Sequence, residues 1–204
     1  MTADITFENE FEKAITSDEA ERSLHFHKVF TGNAGTFRKE EYKDNSLINV
    51  IHYLKADDDE KLILSELVNH YPVLDWFEIR TIEQIGAYRK EIQRFLLTTG
   101  AYEDFQITLL LNGGGLLIFE RRDEIVDEVA HLEIRKYYYD PASKQEKFEF
   151  IYNPDGHLSS MRGSESPFVA ENDYLITDSE IEFFFPGFLS ENPYYQNADL
   201  LPTD

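Results

Sequence analysis

The sequence predicts an α+β fold: a single α+β domain over residues 1–204, with N-terminal helices packed on one face of a mainly antiparallel sheet. Three observations carry that expectation. Apolar residues in 1–100 recur at helical spacing, so this region reads as mainly helical. From residue 104 the pattern turns to short apolar runs joined by hairpin-length turns, so 101–162 reads as antiparallel strands. Beyond Arg162 the chain carries no Lys or Arg and becomes an acidic-aromatic C-terminal segment, 163–204. At 204 residues, 42% apolar and 14% aromatic, the chain can fill one core and is too apolar for wholesale disorder.

Each element has a local reason. Thr6 is placed to cap a short helix in which Phe7, Phe11, Ala14 and Ile15 share a face. Thr16 and Glu19 have capping-box spacing for a second helical turn. Leu24, Phe26, Lys28 and Phe30 alternate, which favours an extended 23–30, and Gly32, Asn33 and Gly35 mark a loop. Asn45 or Ser46 could start a helix carrying Leu47, Val50, Ile51 and Leu54. The run Asp57-Asp58-Asp59-Glu60 suits the positive N-terminal end of a helix that buries Leu62, Ile63, Leu67 and Tyr71 and stops at Pro72. The strongest helical pattern pairs Thr81 with Gln84 and continues through Ile82, Ile85, Tyr88, Ile92, Phe95 and Leu96 to Gly100.

The later region has turn chemistry. Asn112-Gly113-Gly114-Gly115 joins Phe105–Leu111 to Leu116–Arg121 as a hairpin signal. Residues 123–130 could form a helical turn before His131–Tyr139. Asn153-Pro154-Asp155-Gly156 joins Phe148–Tyr152 to His157–Met161. The stretch Tyr152-Asn153-Pro154-Asp155-Gly156-His157-Leu158 resembles the Y-x-x-x-G-x-L hairpin of YD-repeat proteins, which implies a β-hairpin and nothing about activity.

Charge narrows the function classes. Forty acids against 19 bases give −21, which disfavours direct nucleic-acid binding through phosphates and adhesion to anionic lipid. The partner this charge favours is a basic protein or a metal ion. With no apolar run near the ~18 residues of a membrane span, no basic-then-apolar start and no cysteine, the expected location is the cytoplasm and the expected membrane contact is none. Self-association is not legible.

Candidate chemistry is sparse. The glycine turn at 112–115 is followed by Leu116, Leu117, Ile118 and Phe119, with no Lys or Ser/Thr placed as in a phosphate loop. His25 and His27 would point the same way on a strand, and Glu66 and His70 would share a helix face. These four residues are the candidate ligands of a metal-dependent hydrolase. The acids at 57–60 lack the EF-hand pattern, and Glu120, Asp123, Glu124, Asp127 and Glu128 offer carboxylates without a defined separation. No catalytic residue and no cofactor is expected.

After Arg162 stand nine acids (Glu165, Glu171, Asp173, Asp178, Glu180, Glu182, Glu191, Asp199 and Asp204) and eight aromatics (Phe168, Tyr174, Phe183, Phe184, Phe185, Phe188, Tyr194 and Tyr195). Either the rings complete the core, or some stand in an acid-rimmed contact surface. Glu180, Glu182, Tyr194 and Tyr195 are the candidate partner-binding residues, and Asp199–Asp204 reads as a solvated tail. A short, acidic, cysteine-free chain without catalytic motifs is similar, as a class, to the immunity proteins of bacterial toxin systems. That similarity implies a non-enzymatic inhibitor of a basic toxin or nuclease-like active site; the alternatives are the metal-dependent hydrolase and a structural adaptor unrelated to toxins.

Overall fold

The computed structural model describes residues 3–33, 35–163 and 178–202. Twelve strands dominate it, which overturns the expected α+β arrangement: there is no layer of N-terminal helices among the described residues. In chain order the strands are β1 (Asp4–Asn9), β2 (Ala14–Ile15), β3 (His25–Gly32), β4 (Gly35–Lys43), β5 (Ser46–Leu54), β6 (Trp76–Ile85), β7 (Tyr88–Leu97), β8 (Tyr102–Leu111), β9 (Leu117–Val126), β10 (Val129–Tyr139), β11 (Glu146–Tyr152) and β12 (Leu158–Gly163). The helices are short: α1 (Ser17–Arg22), α2 (Glu60–His70), α3 (Asp178–Phe184) and α4 (Phe188–Glu191), followed by a 3-10 turn at Pro193–Tyr195. The sheet order is β12-β11-β10-β9-β8-β7-β6-β5-β4-β3-β1-β2. The chain divides into two compact units, Met1–Ile82 with Glu91–Gln106, and Glu83–Lys90 with Ile107–Asp204.

In the first unit, β1, β3, β4 and β5 pair antiparallel, while β5 and β6 pair in parallel. A parallel pair needs a crossover, and α2 supplies it. Asp59 caps that helix by accepting from the Leu62 amide at 3.2 Å, and the predicted capping box of α1 forms between Thr16 and Glu19. Val50, Leu67, Tyr71, Leu74, Phe77, Ile79 and Leu96 make the core beneath α2.

Three predicted helices in 1–100 are strands, and the reason is physical. Val50 and Ile51 are both buried, as are Phe77, Glu78 and Ile79. Strands buried on both faces lose their two-residue alternation, and Leu47, Val50, Ile51 and Leu54 then imitate a helix. Asp44 and Asn45, at φ 50° and 61°, form the two-residue turn between β4 and β5. The strongest helical pattern is broken at Gly86, whose φ of 57° and acceptance of a bond from Gln84 belong to the turn between β6 and β7. Phe7 and Ile15 are cross-strand partners in β1 and β2, not neighbours on a helix.

In the second unit, β9, β10, β11 and β12 pair antiparallel. The register places Phe119, Lys136, Phe150 and Met161 in one row across them. The helices α3 and α4 and the 3-10 turn pack on that face, joining Ile181, Leu189 and Tyr195 to a core with Leu110, Ile118, Ile134, Phe148 and Tyr152. The opposite face carries ion pairs: Glu120 with Arg122, and Glu149 with both Arg135 and Arg162. Residues 123–130 continue β9 into β10 through Asp127 and Glu128, both at positive φ, and form no helical turn. Within the expected tail, Leu200 and Leu201 pack on the core and are not solvated, while 203–204 lie outside the described residues; just before it, the Ala198 amide donates to the Gly156 carbonyl. No described helix is long and apolar enough to cross a membrane.

Candidate functional site

The C-terminal segment splits its acids and rings between two tasks. Ile181 is fully buried, which fixes one face of α3 on the core. The next residue, Glu182, accepts from the Gly187 amide at 2.7 Å and the Leu189 amide at 3.3 Å. A carboxylate there satisfies donors at the start of α4 that the helix cannot pair internally. Gly187 adopts φ 80°, which turns the chain between the two helices. Phe183 and Phe184 then face outward, 76% and 47% exposed, with their rings edge-on at 5.1 Å. Glu180 is exposed on the same short helix.

The two predicted contact tyrosines are placed inward. Tyr195 is buried; its hydroxyl donates to the Tyr137 carbonyl at 3.1 Å, and its own carbonyl accepts from the Tyr152 hydroxyl at 2.9 Å. Tyr194 is half-buried and donates to the Leu200 carbonyl at 3.2 Å. Burial pushes the ionisation of Tyr152, Tyr194 and Tyr195 well above the ordinary tyrosine range. Beneath them lies Lys136, with no exposed surface; its ammonium donates to the Tyr194 carbonyl at 2.5 Å and sits 3.6 Å from the Tyr194 ring centre. The remaining late-chain candidates Glu165, Phe168, Glu171, Asp173, Tyr174 and Asp204 lie outside the described residues.

A second exposed surface was not read from the sequence. At the tip of the β9–β10 hairpin, residues 124–131 are exposed on both faces. Ile125, Val126 and Val129 stand there with Glu124, Asp127 and Glu128. The available signal was Val126-Asp127-Glu128-Val129, two polar residues between strand formers, which is hairpin spacing.

The histidine candidates separate. His27 lies directly opposite Glu41 in the β3–β4 ladder, and His25 follows two residues along on the same face. The His25 Nε2 is 2.7 Å from Glu41 Oε1, and its Nδ1 is 3.4 Å from Glu10 Oε2. The two imidazole centres are 5.6 Å apart, inclined at 62°. One ligand atom from each of His25, His27 and Glu41 lies within 4.8 Å of the other two. Among the described residues no other such group of His, Asp or Glu occurs. The Nδ1 of His27 is buried with no hydrogen-bond partner among those residues.

Glu66 and His70 do not join them. They line a cavity of about 440 Å³ with Arg38, His52 and Tyr71. Arg38 and His52 are cross-strand partners on the sheet face opposite Lys39 and Glu41. Burial holds the His52 imidazole below the ordinary histidine range. The acids at 57–60 serve local structure: Asp58 accepts from the Lys55 amide at 2.8 Å, Asp59 caps α2, and Glu60 pairs with Arg94 at 3.3 Å. Glu120 accepts from Tyr137 at 2.8 Å and pairs with Arg122, so it too is engaged within the sheet.

No family model, curated protein or solved structure matches this chain.

Proposed function

We propose that this chain is a non-enzymatic, cytoplasmic binding protein that engages a basic protein, acting as an immunity-type inhibitor that masks the positively charged active site of a toxin. The observation that supports this reading best is the exposed Phe183–Phe184 pair on a helix with Glu180, in a segment without a single base. Adjacent solvent-facing rings form a contiguous apolar patch of the kind that marks interaction sites, and rings within an acidic rim match the anatomy of an interface for a basic partner. The acidic hairpin tip with Ile125, Val126 and Val129 offers a second patch of the same character. A net charge of −21 supplies the long-range attraction that speeds encounter, while the rings set the lifetime of the complex.

The placement of the four sequence candidates sharpens the contact set. Tyr195 serves the core, Tyr194 is half-buried, and Glu182 holds the start of α4. The contact residues proposed are therefore Glu180, Phe183 and Phe184. The test is affinity capture from the native source, with identification of what is retained at low salt and released at high salt. A basic protein bound by the wild type and lost by Glu180→Lys with Phe183→Ala supports the reading. Retention of that protein by the double variant, with no dependence on salt, refutes it.

A further inference from the structure

We propose that His25, His27 and Glu41 bind one first-row divalent cation of the zinc class, with Glu10 orienting His25 from behind. The site is built by strand register. His27 and Glu41 are directly opposed on neighbouring strands, and His25 lies diagonally across on the same face. Their donor atoms fall within 4.8 Å of one another. Ligands around tetrahedral zinc lie about 3.3 Å apart, given metal–donor distances of about 2.0–2.1 Å. Small side-chain rotations close that gap while the ladder stays in place.

The polar contacts point the same way. His25 has a carboxylate near each nitrogen: Glu41 is hydrogen-bonded to Nε2 at 2.7 Å, and Glu10 stands 3.4 Å from Nδ1, at ion-pair distance. Once Glu10 draws in to accept the Nδ1 proton, the ring presents Nε2 to a cation that Glu41 shares, the carboxylate–histidine–metal relay that fixes a ligand's tautomer. His27 is uncommitted at Nδ1 among the described residues, although buried polar atoms are nearly always bonded. Lys39, two residues along β4 from Glu41, is occupied by Glu8 at 2.9 Å and Glu12 at 3.0 Å, and Lys43, directly opposite His25, is solvent-exposed. Two imidazoles and one carboxylate suit zinc and its neighbours, whereas magnesium and calcium prefer all-oxygen sets. Three protein ligands leave a fourth position for water or an incoming donor.

The test uses the full chain, stripped with a chelator and titrated with zinc in excess magnesium, which occupies unspecific carboxylates. One zinc per chain is expected, and cobalt in its place should give the visible absorption of nitrogen-ligated, low-coordinate cobalt. Zinc should shift the imidazole resonances of His25 and His27 and leave those of His52, His70, His131 and His157 in place. His25→Ala and His27→Ala should each weaken binding at least about 100-fold, and Glu10→Gln by about 10–100-fold. Glu66→Ala with His70→Ala should leave binding unchanged. The proposal is overturned if folded wild-type protein binds no stoichiometric zinc, or if the resonances of His25 and His27 do not move. It is also overturned if binding survives loss of both histidines or disappears in the Glu66/His70 variant. The resonance measurement needs no variant, so a misfolded substitution cannot obscure the answer.

Discussion

Replacing Lys136 by methionine should stabilise the second unit in mildly acidic solution, and the gain should vanish as the pH rises. Lys136 lies between Phe119 and Phe150 in the β9–β10–β11 ladders and has no exposed surface. Burial pushes its ammonium from 10.5 down to about 7, and the charge of Asp199 opposes that shift. At about 1.4 kcal/mol per tenfold change in proton affinity, holding the charged form below pH 7 costs on the order of 5 kcal/mol at most. The bond to the Tyr194 carbonyl and the contact with its ring offset part of that cost, each by about 1–2 kcal/mol. Methionine keeps the length and apolar volume and forfeits both contacts, leaving a net gain of about 1–3 kcal/mol near pH 6. Between about pH 7 and 10 the unfolded wild type keeps a proton that the folded chain has released, so wild-type stability rises with pH. The variant lacks that slope. Urea unfolding of both proteins by circular dichroism at about pH 6, 7.5 and 9 reads the difference directly. A difference independent of pH, or one that grows in favour of methionine as the pH rises, would refute the reasoning.

The raised ionisation of Tyr152, Tyr194 and Tyr195 contributes stability that is present below the free tyrosine value of about 10 and lost above it. Tyrosinate absorbance should therefore rise in step with loss of the far-ultraviolet signal in alkali, and tyrosinate formation in a still-folded chain would contradict the burial. Tyr195→Ala should destabilise by about 3–5 kcal/mol by emptying a core position, whereas Phe183→Ala should stay within about 0.5 kcal/mol; denaturant midpoints distinguish them. Glu182→Ala should cost about 1–2 kcal/mol by uncapping α4, with faster amide exchange at Gly187 and Leu189 as the local readout. In the first unit, Tyr71→Phe removes a 2.5 Å bond to the buried Glu40 carboxylate and should cost about 1–3 kcal/mol by thermal or urea unfolding.

Local chemistry was readable wherever a few adjacent residues decide the outcome. The Thr16–Glu19 capping box, the helix start at the 57–60 acids and the turns at Asn112 and Asn153 all form as their sequences imply. Reading failed where long-range pairing decides. In β7, Glu91 and Leu96 are buried while Arg89 is exposed, because the sheet buries charged side chains as well as apolar ones. Such a strand has no clean alternation, and its isoleucines and aromatics match helical spacing by coincidence. The same logic governs the sites. That His25 and His27 share a face follows from strand geometry alone. Their partner Glu41 arrives through the β3–β4 register, which no local spacing encodes, while Glu66 and His70 go with α2 to the other face. The late apolar side chains are divided by packing: Ile181 and Tyr195 seat the segment, and Phe183 and Phe184 remain outside.

The most direct measurement is the association rate of the purified chain with its captured basic partner as ionic strength increases, for wild type and for Glu180→Lys with Phe183→Ala. Charge attraction followed by ring burial predicts a rate that falls steeply with salt, and a double variant that associates more slowly and dissociates sooner. Rates flat with salt and indifferent to both substitutions would contradict it.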